Sequence, residues 1–161
     1  MFEIKDILEL AIRLEKNGEA AYRNAIQATS DEELKAMLNW MAGEEASHGR
    51  WFSKLKTALD QGSQSPFREE MSRQLIEDLV GGQTFSLKEV DFSKVAVLGE
   101  LISIFIEFEK DTVLFYGMIA PFVEDGQTRT HLDSIIAEEN RHIARLEQFM
   151  AKGAEAAVEV R

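Results

Sequence analysis

The chain contains no cysteine. That absence excludes disulfides, thiolate zinc sites, a cysteine nucleophile and any rubredoxin-type iron centre built on this chain. Histidine and carboxylate are left as its metal-binding side chains. Positive charge is scarce: 18 Lys and Arg stand against 29 Asp and Glu, giving a formal net charge of −11. Such a balance disfavours nucleic acid and anionic membrane surfaces as partners and favours cations. Long apolar runs are missing as well. Even the stretch from Val95 to Phe108 is broken by Glu100 and Glu107, whereas a transmembrane helix needs about eighteen or more apolar residues. The start, Met1 to Leu10, mixes charge into its apolar residues from Glu3 onward and offers no signal-peptide core, which predicts a cytoplasmic protein. At 161 residues and 45% hydrophobic content, the chain suits one domain whose core needs no covalent staples.

What is present is helical periodicity. Ile4, Leu8, Ala11, Glu15, Gly18, Tyr22 and Ala25 recur in steps of three and four, the seam of an amphipathic helix over about residues 3–28. Thr29 and Ser30 break it, and Ser30 with Glu33 predicts a capping box for the next helix. That second helix carries Leu34, Leu38, Met41, Glu45, His48, Phe52, Leu55 and Leu59 on its seam, so one Glu-His pair interrupts an apolar stripe. Glu44 is predicted to point elsewhere. Gln61 to Pro66 supplies the break.

Residues 67–80 read as a short helix, followed by Gly81-Gly82 and a loop to Asp91. So long a segment is no tight turn, and it predicts a crossover connection. The third helix, about 93–123, is apolar on several faces. Leu101, Ile104, Ile106 and Phe108 need cover beyond one bundle core, which predicts a homodimer through this helix. Pro121 falls near its end. A fourth helix carries Leu132, Ile135, Glu139, His142, Leu146 and Phe149. The expected architecture is all-α, an antiparallel four-helix bundle over residues 1–153 with a long crossover between the second and third helices. Residues 154–161 are expected to be a frayed tail.

Glu139-x-x-His142 repeats as Glu45-x-x-His48, and each pair follows a Glu-Lys dipeptide, at Glu15 and at Glu109, by the same thirty residues. Residues three apart share a helix face, so each carboxylate and imidazole can close on one ion. Glu15, Tyr22, Glu45 and His48 map onto Glu109, Tyr116, Glu139 and His142 at a constant offset of 94, so the chain is an internal repeat of two helical hairpins. Glu15 lies about fifteen residues before the first turn and Glu45 about fifteen after it, both roughly 22 Å from the loop at about 1.5 Å per residue. The same holds for Glu109 and Glu139 about the turn at Glu124 and Asp125, so four Glu and two His converge midway along the bundle. Burying four carboxylates costs several kcal/mol per ion unless something compensates, and the seam holds no Lys or Arg. Two divalent cations balance the charge. Carboxylate and imidazole suit non-haem iron, with manganese or zinc possible in its place.

Tyr22 and Tyr116, two turns after Glu15 and Glu109, are read either as hydrogen-bond donors to ligand carboxylates or radical traps, or as packed core aromatics with a satisfied hydroxyl. Glu19, one turn from Glu15, is read as facing solvent, the alternative being an extra ligand or a metal-access carboxylate. His131 is expected to be exposed. Trp40 and Trp51 are expected to pack under the crossover or at a dimer contact.

Leu14-Glu15-Lys16 with Tyr22, Glu44-Glu45-Ala46-Ser47-His48, Phe108-Glu109-Lys110 with Tyr116, and Glu138-Glu139-Asn140-Arg141-His142 resemble the motifs of the ferritin-like di-iron carboxylate proteins. Within them the resemblance is to the rubrerythrin-like group, without its rubredoxin domain. It covers residues 10–150, the crossover excepted. It implies a ferritin-like fold and a site built from one Glu on each of two helices plus a Glu-x-x-His on each of the other two, here Glu15, Glu109, Glu45-His48 and Glu139-His142. It also implies an oxidoreductase that reduces peroxide or dioxygen in oxidative-stress defence, fed by an external electron donor protein. The alternatives are a ferroxidase or iron-handling protein, or a non-catalytic metal-binding bundle. The chain departs from the peroxide-reducing members in having no cysteine and in carrying Thr112 where they have a further Glu one turn after the third helix's ligand.

Overall fold

A computed structural model describes residues 4–67 and 98–159, with side chains described as far as residue 153. The described residues form four helices: α1 (Ile4–Ala28), α2 (Glu32–Asp60), α3 (Leu98–Ile119) and α4 (Gly126–Glu159), with a 3-10 turn at Ala120–Phe122 between the last two. The helix starts predicted near residues 3 and 93, the short helix and loop of the crossover, and the tail's last residues fall wholly or partly outside the described residues.

Local chemistry sets the turns. The N-cap of α2 is Asp31, whose carboxylate accepts from the Leu34 backbone N–H at 3.0 Å; it is not Ser30, as the capping-box spacing predicts. The helix starts one residue later than that spacing requires. Glu33 is left to pair with Lys152 at 3.1 Å rather than close a box. At the other hairpin, α3 ends at Ile119 rather than running to Val123. Pro121 has no N–H to continue an α-helix, so the chain tightens into the 3-10 turn. Asp125 then opens α4 by accepting from both the backbone N–H and the hydroxyl of Thr128, at 2.8 and 2.7 Å.

Side-chain pairs fix the directions of the helices. Lys5 meets Asp60 at 2.8 Å, so α1 and α2 run antiparallel. Lys152 meets Glu33, and Trp51 stacks on His131, so α2 and α4 do too. The Glu124 N–H donates to the Pro66 carbonyl at 2.8 Å, and Phe67 pairs with Val123. The chain just after α2 therefore lies beside the end of α3. Hence α2 and α3 point the same way, which is the topology of a ferritin-like bundle with a long crossover.

The core follows the predicted seams: Leu8, Leu34, Leu38, Met41, Phe105, Ile119 and Leu146 are all fully buried. Ile106 and Phe108, expected to need a partner, are buried within this chain, while Leu98 and Leu114 stay exposed on α3. No described helix is long and apolar enough to cross a membrane.

Candidate metal centre

Midway along the bundle the apolar core is interrupted by the six predicted residues. Glu15, Glu45, His48, Glu109, Glu139 and His142 are each no more than 3% exposed. They form two overlapping groups: Glu15, Glu45, His48 and Glu139 in one, Glu45, Glu109, Glu139 and His142 in the other. Within each group the donor atoms lie within 4.8 Å of one another. Glu45 and Glu139 belong to both. Glu139 shows what sharing means: its Oε1 is 2.8 Å from His48 Nδ1 and its Oε2 is 3.0 Å from His142 Nδ1. The two imidazoles face one another across the centre, ring centroids 6.5 Å apart and planes within 24°. Repetition of the hairpin thus produces a two-fold arrangement in which the two shared carboxylates, Glu45 and Glu139, are exchanged by the repeat.

The tyrosines join this site. Tyr22 donates to Glu109 Oε1 and Tyr116 to Glu15 Oε1, each reaching across to the other hairpin. Each is also packed: Tyr22 lies edge-on to Phe105 at 4.8 Å, and Tyr116 is tilted against Phe52 at 5.2 Å. The hydrogen-bonding and packing roles therefore hold together. Glu19 does not join. Its carboxylate is paired with Arg23 at 3.2 Å on the surface of α1.

Two residues were missed. Glu44 does not point elsewhere: its Oε2 accepts from His142 Nε2 at 2.7 Å. Glu138 likewise accepts from His48 Nε2 at 2.5 Å. The bonds are crossed, since each imidazole is held by the carboxylate preceding the other motif's glutamate. A proton fixed on Nε2 directs Nδ1 into the centre and makes it a better ligand. The signal was available, because the Glu-Glu doublet itself repeats at the offset of 94.

Electrostatics shows the strain of burying so much charge. Burial, then Glu139, push the Glu45 carboxyl well above the usual range, and the same two causes raise Glu109 to about 8. Burial opposes charge on the imidazoles, yet neighbouring carboxylates outweigh it and raise His48 to about 11 and His142 to about 10. Burial and Glu15 work against the Glu139 anion too, but the two imidazoles hold it below its ordinary value. Protons can therefore stand in for missing positive charge.

The fit of metal ions to these residues is tested by the remaining oxygens. Glu15 Oε2, both oxygens of Glu45, Glu109 Oε2 and Glu139 Oε2 are buried and accept no hydrogen bond from the described residues. An unsatisfied buried carboxylate oxygen costs on the order of 1–3 kcal/mol or more. Five within one cluster are what a hard or borderline cation would satisfy, so the donor set fits metal binding. Room for Glu45 is made by Gly18. A Cβ there would lie 2.7 Å from Glu45 Oε2 and 3.1 Å from Phe108 Cε1. Gly18→Ala is expected to keep the helix, alanine being the better helix former, while displacing the shared carboxylate. Metal titration should show affinity reduced about tenfold or more, with an unchanged circular dichroism spectrum.

The rubrerythrin family profile matches residues 6–150. The chain belongs to the rubrerythrin family. A crystal structure from Thermotoga maritima, described as that of a ferritin-like diiron-carboxylate protein, aligns with this rubrerythrin-family chain at a TM-score of 0.67. It is 22% identical and covers 94% of this chain and 97% of its own, a likeness of fold. No curated protein matches the chain.

Proposed function

We propose that this rubrerythrin-family protein holds two iron ions and acts as an oxidoreductase that reduces peroxide or dioxygen. The observation that carries the reading is the shared pair, Glu45 and Glu139, between two otherwise separate Glu-His sets. Glu15 and His48 would hold one ion and Glu109 and His142 the other, with Glu45 and Glu139 available to both. Four carboxylates then meet four positive charges. Iron held this way supplies reversible one-electron chemistry and Lewis acidity.

The chain's own part is to bind and to orient. Tyr22 and Tyr116 hold Glu109 and Glu15 by one oxygen each, leaving the other without a hydrogen bond from the described residues. Glu44 and Glu138 fix the imidazoles from outside. Phe52, Phe105 and Phe115, fully buried, keep bulk water from the centre. Thr112, buried beside Glu109 on α3, turns its hydroxyl back to the Phe108 carbonyl at 3.0 Å and contributes no carboxylate. The exposed Leu98 and Leu114 support α3 as the face of a homodimer.

Anaerobic Fe(II) loading followed by stopped-flow mixing with hydrogen peroxide or with oxygen tests the reading. A stoichiometry of two irons per chain with faster oxidation by peroxide supports a peroxidase. Faster oxidation by oxygen with many irons taken up per chain identifies a ferroxidase. Tight binding without oxidation by either leaves a metal-binding bundle and ends the oxidoreductase reading.

A further inference from the structure

The face between the N-terminal half of α2 and the C-terminal half of α4 holds a groove that the ligand set does not use. It has a volume of about 260 Å³ and is lined by Glu33, Met37, Trp40, Arg145, Phe149 and Lys152. Trp40 is 38% exposed, and its ring meets the fully buried His142 ring edge to face, centroids 5.3 Å apart at 84°. One indole therefore touches both solvent and an imidazole of the centre.

The internal repeat is broken at this place. By the offset of 94, Met37 and Arg145 stand where His131 and Trp51 stand in the other half, and the counterpart of Trp40 is Ser134. Trp51 and His131 stack at 4.4 Å with planes 12° apart, closing their end of the α2–α4 face with two flat rings. A thioether and a guanidinium leave the other end open. Its lining is also positive on balance. Arg145 and Lys152 face a single carboxylate, Glu33, which Lys152 meets at 3.1 Å, in a protein whose net charge is −11.

We propose that this groove docks a small acidic one-electron carrier protein and that Trp40 is the contact through which its electrons reach the centre. The proposal rests on the oxidoreductase reading. With no cysteine, the chain has no thiolate-ligated iron centre of its own to deliver electrons. An acidic partner is repelled by most of this surface and attracted here, which selects one orientation. Two reduced carriers each give up one electron, and one hydrogen peroxide takes both with two protons to give two waters.

Binding is tested without turnover by titrating redox-inert, zinc-substituted rubredoxin into the 15N-labelled full chain. The Trp40 indole N–H and the amides of Met37 and Phe149 are expected to shift. Arg145→Glu is expected to weaken binding about tenfold, and added salt to weaken it in the wild type. Shifts confined to another face, or an Arg145→Glu variant that binds equally well, overturn the proposal. So does a groove occupied by a second copy of the chain, seen as self-association that Arg145→Glu abolishes.

Peroxide reduction is then driven either by reduced rubredoxin or by the methyl viologen radical, which needs no docking site. Arg145→Glu should slow the first about tenfold and leave the second and the metal content unchanged. Trp40→Leu should slow the first while keeping the binding, with partial recovery in Trp40→Phe. Equal losses with both reductants overturn the docking role. Failure of viologen to drive the wild type counts against the oxidoreductase reading instead, and the titration still decides the groove.

Discussion

Replacing Glu139 with alanine is expected to reduce tight metal binding from two ions per chain to at most one. The reason is geometric. Glu139 offers one oxygen toward His48 at 2.8 Å and the other toward His142 at 3.0 Å, so its removal takes a donor from both groups at once. Glu45→Ala should do the same, because Glu45 is the other residue common to the two. Glu15→Ala and Glu109→Ala, by contrast, each strip one group and should weaken one ion more than the other. Anaerobic titration with Fe(II) or Co(II), followed by metal analysis after gel filtration, measures the stoichiometry. Glu19→Ala serves as the control, since that carboxylate is occupied by Arg23, and it should bind as the wild type does. A Glu139→Ala protein that retained two tightly held ions would remove the basis for a shared centre.

The six central residues were legible in the sequence because each replaces an apolar residue on a seam of period 3.6, where a charge has no reason to be unless it is matched. The heights of Glu15, Glu45, Glu109 and Glu139 followed from counting residues to the turns, which requires only a constant rise per residue. Sequence spacing does not carry azimuth and reach so well. Glu44 and Glu138 lie one position off the seam, and on periodicity alone they look like surface residues, being 23% and 30% exposed. A glutamate's three-carbon stem lets it reach around the edge of the bundle to an imidazole on the facing helix. Helix ends show the same limit: a hydroxyl at Ser30 and a carboxylate at Asp31 compete for one cap, and the carboxylate, as the stronger acceptor, takes it. Of the four α3 residues expected to need a partner, Ile106 and Phe108 find cover inside the chain, while Leu101 and Ile104 are only partly buried.

Freed of metal, the protein should be most stable in mildly acid solution and lose stability as the pH rises. His48 and His142 ordinarily titrate near 6.5, but the folded chain holds their protons to about 11 and about 10. A group whose pKa is raised by folding contributes its full stabilisation below the unfolded value and loses it as pH climbs through the folded one. Glu109, raised from 4.5 to about 8, acts in the same sense at lower pH, and Glu45 is raised too. Glu139 works the other way, its lowered pKa favouring the fold above the unfolded value. Within its window each proton held lowers stability by about 1.4 kcal/mol per pH unit, so urea denaturation of the metal-free protein should show a lower midpoint at pH 9 than at pH 6. Metal loading inverts this order. Cations displace the protons from His48, His142, Glu45 and Glu109, so loading in weak buffer should acidify the solution, and the stabilisation by metal should be larger at pH 8 than at pH 6. A metal-free protein that grew more stable from pH 6 to pH 9, or loading that released no protons, would mean that protons do not take the place of the ions in this core.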